Sequence, residues 1–189
     1  MRKRLIPLLA AVCAAVPLVL AGSGPAAADT SVNQDLVNKM NGSRLALGSD
    51  STADGAEVIA LRGTRWDSYI TEAWDFEGTY DSNAKLWTAT LRNRASNRCL
   101  EPETSAAARG NRVVVRSCDG SDRQKWSLRL ETGGGNAERW WIWRPLANVN
   151  VAMTIQNTNN DQWDTIRLDY SYPSTDRLWL LGPNNSAWW

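Results

Sequence analysis

No histidine occurs in the 189 residues. That one absence removes a Ser-His-Asp triad, a Cys-His pair and a His-ligated zinc site together. Excess charge is missing too. Without the three basic residues at its start the chain carries 18 basic (21 − 3) against 20 acidic side chains, about −2. Such a balance gives no electrostatic reason to bind nucleic acid or an anionic membrane. Phenylalanine is nearly absent, with one residue against four tyrosines and eleven tryptophans. Cysteine is scarce at three. Outside residues 5–21 there is no long apolar run, so no span is expected in the remainder of the chain.

The start of the chain has its own logic. Arg2, Lys3 and Arg4 precede an apolar stretch from Leu5 to Ala21, and Ala26-Ala27-Ala28 follows. A charged, then apolar, then small-residue order predicts a secretory signal peptide over 1–28, cut before Asp29. An uncleaved anchor is the alternative, and the small-residue end favours cleavage. Cys13 follows Val12 and sits too early for lipoprotein processing. The expected mature chain, 29–189, is long enough for one domain and is expected outside the cell. Its two cysteines, Cys99 and Cys118, are expected to pair in an exported protein.

What is present is clearest from Asn97 to Trp126. The valine run 113–115 lies between Gly110 and Asp119-Gly120, which reads as a strand between turns. Two weaker copies flank it. Upstream, Arg44-Leu45 matches Arg98-Cys99, Val58-Ile59-Ala60 matches the valines and Glu72-Ala73-Trp74 matches Gln124-Lys125-Trp126. Downstream, Val151 matches Cys99, Ile166-Arg167-Leu168 matches the valines, and Arg177-Leu178-Trp179 closes the copy. The closing tryptophans are 52 (126 − 74) and 53 (179 − 126) residues apart. Further strands are expected at Lys85–Leu91 and Arg139–Arg144. The second would have Trp141 and Trp143 on one face and Trp140 and Ile142 on the other. No stretch has helical spacing.

The middle stretch resembles the ricin B-type lectin repeat, the Q-x-W repeat of the β-trefoil family. The matching elements are Asn97-Arg98-Cys99-Leu100-Glu101, Gly110-Asn111, the valine strand, Cys118, Asp119-Gly120 and Gln124-Lys125-Trp126. The resemblance implies an all-β fold, a β-trefoil of three pseudo-repeats at about 32–84, 85–136 and 137–182. It also implies a Cys99–Cys118 bridge within one unit, and Trp74, Trp126 and Trp179 as core residues. Function is implied as well: binding of glycan or polysaccharide in shallow pockets, without catalysis. In such a pocket an acid after the Cys-Leu pair bonds sugar hydroxyls, an aromatic near the second cysteine stacks on the ring, and a polar residue before Q-x-W assists.

Carried onto this sequence, the middle unit offers Glu101, Arg116 in place of the aromatic, and Arg123 with Asp122 beside it. The plainer role for Glu101 is a solvated turn carboxylate, paired with Arg98 or Arg116. The first unit has Leu47 where the acid should be. The third has Met153 or Thr154 there, with Tyr170 and Asp176 near the other two places. Trp66 and Trp163, in polar and loop-like surroundings, are further candidate stacking platforms. Trp188-Trp189 could fold back or dock on a secreted protein partner. A trefoil that has lost its sugar sites and serves as an interaction or inhibitor module is the alternative function. Asn157–Asp161 lacks the turn glycine and closing glutamate of a calcium loop, and Gly133-Gly134-Gly135 lacks the lysine of a phosphate loop. No metal and no cofactor are expected.

Overall fold

The structure, a computed structural model, describes residues 28–62, 69–132, 138–156 and 162–183. Trp66, the triple glycine, the Asn157–Asp161 loop and Trp188-Trp189 lie outside the described residues. So does residue 1–27 of the expected signal peptide. Among the described residues no helix is long and apolar enough to cross a membrane.

Among the described residues twelve strands follow one another along the chain. They are β1 (Ala28–Asn38), β2 (Arg44–Leu47), β3 (Val58–Leu61), β4 (Trp74–Asp81), β5 (Leu86–Asn93) and β6 (Arg98–Pro102), then β7 (Val113–Ser117), β8 (Trp126–Thr132), β9 (Trp140–Pro145), β10 (Val151–Gln156), β11 (Trp163–Tyr170) and β12 (Leu178–Pro183). Short 3-10 turns at Ile70–Glu72, Asp122–Gln124 and Thr175–Arg177 each lead into a strand whose tryptophan stands two residues after the turn. The expected strands at 85–91, 113–115 and 139–144 are present within two residues of their expected ends.

Pairing is antiparallel throughout and closes a ring. β1 pairs with β4, β4 with β5, β5 with β8, β8 with β9, β9 with β12, and β12 returns to β1. A closed ring of six strands has no free edge to aggregate through. The other six form the hairpins β2–β3, β6–β7 and β10–β11. These meet one another through β3–β11 pairing and through single bridges at Glu57–Val114 and Arg112–Arg167. A six-stranded barrel with three mutually touching hairpins agrees with the all-β fold the resemblance implied.

The core explains the tryptophan surplus. Trp74, Trp126, Trp143 and Trp179 are all fully buried. A buried indole needs an acceptor for its N–H, and three find one in the same manner. Trp74 Nε1 donates to the Leu45 carbonyl at 2.9 Å, Trp126 to Leu100 at 3.0 Å, and Trp179 to Met153 at 3.1 Å. Each bond ties a barrel strand to the first strand of a hairpin. The strand β9 is buried on both faces as its sequence suggested. Trp143 and Trp141 pack on the main core, while Ile142 and Trp140 pack with Ala152 and Leu178.

Those indole bonds also correct the alignment of the copies. They put Leu45 and Met153 on Leu100, so Arg44 and Ala152, not Leu45 and Val151, correspond to Cys99. The place of Glu101 is therefore filled by Ala46, not Leu47, in the first copy and by Thr154 in the third. Cross-strand partners agree, since Glu101 faces Val114, Ala46 faces Ile59 and Thr154 faces Arg167. A slip of one residue turns every side chain to the other face, so the correction decides which residues can line a site.

Candidate functional site

The middle position is built and filled. Cys99 and Cys118 form the expected disulfide, which anchors β6 to the end of β7. Glu101 is only 3% exposed. Its carboxylate accepts from Arg123 at 2.8 Å and from Gln124 Nε2 at 2.9 Å, and lies 3.5 Å from Arg116 Nε. It is therefore not a solvated turn carboxylate. Gln124 also donates to the Ser117 carbonyl and accepts from the Asp119 amide, which explains why the first residue of Q-x-W is an amide. Arg116 is held at its other end by Asp54, 3.1 Å away. Protein groups thus occupy the oxygens that a sugar would use. Asp122 turns away from this cluster and pairs with Lys125.

The first position is filled with apolar side chains. Ala46, Ile59 and Leu61 pack with Tyr69 and Trp163. Trp163 is not in a loop: it opens β11, paired with Leu61, and is half-buried there as part of the wall. Its neighbour along β11, Asp164, forms an ion pair with Arg62 at 2.9 Å.

The third position is open. A hollow of about 460 Å³ is bounded by β10, β11, the turn before β12 and the tip at Arg109-Gly110. The tip is fastened to β11 by Gly110, whose φ of +87° suits a residue without a side chain. Its amide donates to the Leu168 carbonyl at 2.7 Å, and the Leu168 amide donates to Asn111 at 2.9 Å. Polar groups converge on the hollow: Thr154, Gln156, Asp169 and Asp176.

Two arginines hold the carboxylates in place. Arg177, almost wholly buried, donates to Asp176 at 2.7 Å and to Asp169 at 3.0 Å. Arg109 donates to the other oxygen of Asp169 at 2.6 Å. Asp176 also accepts from Ser174. Each arginine carries a tyrosine ring, Tyr170 at 4.9 Å from Arg109 and Tyr172 at 4.1 Å from Arg177. Both rings are more than half exposed. Of the sequence candidates, Tyr170 and Asp176 are thus brought to one place. Arg109, Asp169, Arg177 and Tyr172 were missed. The valine-run alignment itself places Asp169 on Arg116, but the aromatic sought there drew the reading to its neighbour Tyr170.

Burial alone would raise the Asp169 carboxyl. The hydrogen bonds from Arg109 and from the Tyr170 amide, with the charges of Arg109 and Arg177, outweigh it and hold the group below the ordinary carboxylate range. A carboxylate kept ionised is suited to accepting hydrogen bonds and not to delivering a proton. The native state binds this proton less readily than the unfolded chain, so its contribution is present at neutral pH and is lost as pH falls through the folded-state value. Asp169→Asn should accordingly flatten the acid limb of stability against pH. A limb unchanged in urea titrations between neutral pH and pH 2 would show the pairing to be without energetic weight.

A larger hollow of about 650 Å³ lies on the barrel wall, over the outward side chains of β4 and β5. Neither hollow is lined by an exposed aromatic, but at the third hairpin Tyr170 stands against Arg109 at the rim, and among the described residues the barrel-wall hollow has no such ring against its lining. The third-hairpin hollow is therefore the better candidate for ring recognition.

No family model matches this chain, and no curated protein sequence matches it. Solved structures do. The designed threefold-symmetric protein ThreeFoil superposes with a TM-score of 0.60 at 24% identity, over 79% of this chain and 96% of its own. The Polyporus squamosus lectin, solved with the epitope Neu5Aca2-6Galb1-4GlcNAc, gives 0.58 at 17%, over 80% of this chain and 49% of its own. An exo-beta-1,3-galactanase from Clostridium thermocellum gives 0.63 at 16%, over 81% of this chain and 30% of its own. At such identities the likeness establishes the β-trefoil fold. This chain spans about half of the lectin and under a third of the galactanase.

Proposed function

We propose that this chain is a secreted carbohydrate-binding module of the ricin B type, without catalysis, which takes glycan or polysaccharide at the third hairpin. One observation carries the proposal: of the three equivalent hairpin positions, the third alone, among the described residues, combines an open hollow with carboxylates and exposed rings. Asp176 and Asp169 would accept from sugar hydroxyls, Gln156 would complete the polar contacts, and Tyr170 would lie against the apolar face of the ring. The sugar-binding lectin among the structural neighbours supports this reading. So does the threefold recurrence of 3-10 turn, buried tryptophan and hairpin, which agrees with three units of about 50 residues. A lone shallow pocket gives millimolar affinity, about 4 kcal/mol, so useful retention would come from repeated sugars on one polymer.

The test is retention of the protein on immobilised polysaccharides and a glycan panel, beside Asp176→Ala and Tyr170→Ala. Both variants should lose most of the binding, about tenfold for one charge-assisted contact or one stacked ring. Glu101 is buried where Asp169 and Asp176 keep part of their surface open, so Glu101→Gln should bind as the parent does. The alternative, a trefoil interaction or inhibitor module, is favoured by the filled first and middle positions. It gains the field if no glycan retains a protein whose tryptophan emission shows it folded.

A further inference from the structure

The barrel wall has three matching cross-strand pairs just beyond the core tryptophans. The first is Asp75 on β4 facing Arg92 on β5, an ion pair at 2.9 Å. The second is Val37 on β1 facing Leu180 on β12, an apolar pair. The third is Ser127 on β8 facing Arg144 on β9. In the first case the cation has its carboxylate, and in the second both charges are gone. In the third the cation remains and the carboxylate is a hydroxyl.

Arg144 is nevertheless the more deeply set of the two arginines, at 8% exposure. Among the described residues its side chain makes one hydrogen bond, from Nη2 to Ser127 Oγ at 3.1 Å, and its buried Nε has no acceptor. No carboxylate among the described residues lies within ion-pair distance of it. On the same face, two residues along β8, stands Arg129, whose own carboxylate partner is Glu131 at 2.6 Å. The local sum is two cations to one anion. Burial, and then the charge of Arg129, lower the affinity of Arg144 for its proton, with Glu131 opposing. A buried cation without a counter-ion is costly to a fold.

The row also leads outward. Ser127 pairs on its other side with Thr88 of β5, which is exposed and lines the wall hollow. A small group entering beside Thr88 would meet Ser127 and then the guanidinium.

We propose that Arg144, with Ser127 and Arg129, is a binding site for the oxyanion of a ligand, a carboxylate or a sulfate, that supplies the acceptor missing at position 127. A guanidinium presents paired N–H donors in a plane, the geometry that two oxygens of such a group accept. The site lies apart from the third-hairpin hollow, and does not depend on sugar binding there.

The decisive variant is Ser127→Asp, which restores the carboxylate that Asp75 provides to Arg92 and keeps Arg144 folded in place. The purified protein is titrated with sodium sulfate and, separately, sodium acetate, against sodium chloride at matched ionic strength. The Arg144 side-chain ¹⁵Nε resonance is followed. A saturable shift is expected in the parent and in Asp176→Ala, with affinity weakened by roughly tenfold or more in Ser127→Asp. A response to acetate alone marks a carboxylate ligand, and a response to sulfate, a tetrahedral one. An Arg144 resonance unmoved by both anions overturns the proposal, as does a Ser127→Asp protein that titrates like its parent.

Discussion

Replacing Trp126 with alanine should lower the unfolding free energy by about 5 kcal/mol. The indole is fully buried among the side chains of the main core. Its loss leaves a cavity that the closed barrel cannot collapse around, because β8 is paired on both sides by β5 and β9. The substitution also strips the Leu100 carbonyl of its donor. Domains have only about 5–15 kcal/mol in total, so the variant should be barely folded at 37 °C. With a urea slope of about 2 kcal/mol per molar, the midpoint falls by about 2.5 M. Trp126→Phe keeps most of the volume and loses the hydrogen bond, for about 1–2 kcal/mol. Equal costs for the two variants would mean that the bond, not the packing, does the holding. A cost for the alanine variant below about 1 kcal/mol would contradict the role given to this residue.

The second large effect is at Glu72. Its carboxylate lies 2.5 Å from Arg44, with both side chains 3% exposed, and it accepts from the Tyr69 amide at 2.9 Å. Burial pushes the Glu72 carboxyl up and the Arg44 guanidinium down, in each case against the pull of the partner. Desolvation therefore outweighs attraction on both sides of the pair. Removing one partner alone is then far worse than removing both. Glu72→Ala should cost about 3–5 kcal/mol, since it removes from a buried cation the carboxylate it is paired with. Glu72→Leu combined with Arg44→Met should cost much less than either single change, a strongly non-additive cycle. The pH dependence carries an opposite sign to that of Asp169. The native state binds the Glu72 proton more readily than the unfolded chain does, so this contribution falls as pH rises from the unfolded value, about 4.3, through the higher folded one. Glu72→Gln should lack that segment of the curve. Additive single and double changes would exclude the account.

These residues show what could be read beforehand. The valine run, its two echoes and the closing tryptophans were legible because burial demands the same residue type wherever the same core place recurs. The front strands of the hairpins were not. Their alignment rested on Cys99, which has no counterpart in the other copies, and a short apolar strand such as Arg44–Leu47 looks much the same one residue along. Only the indole–carbonyl bonds, which join residues 26 or 29 apart in the chain, fix that register. Glu101 was visible as an acid in the expected place, but not its neutralisation by Arg123, which depends on how the 3-10 turn returns toward β6. Trp163 resembled a loop residue because polar neighbours surround it in sequence, whereas pairing with β3 makes it part of a wall. The open third position escaped the sequence for the same reason: its walls come from β10, β11 and a tip some 45–60 residues earlier.

The pairing of β1 with β12 also sets a clock. Residues 34–38 lie against 179–183, so the ring is joined by segments from opposite ends of the described chain. Four seams of the barrel can form while the polypeptide is still lengthening, but this one and the β9–β12 seam wait for β12. Until then β1 and β9 expose backbone edges and Leu36 has no complete wall around it. A ribosome or a translocation pore that releases the chain from its N-terminus onward would thus handle an unclosed barrel for most of the journey, and native packing would arrive late and all at once. Contacts so distant in sequence make for slow folding. Chaperone dependence, if measured on chains stalled at successive lengths, should persist to about residue 178 and vanish within the next few residues.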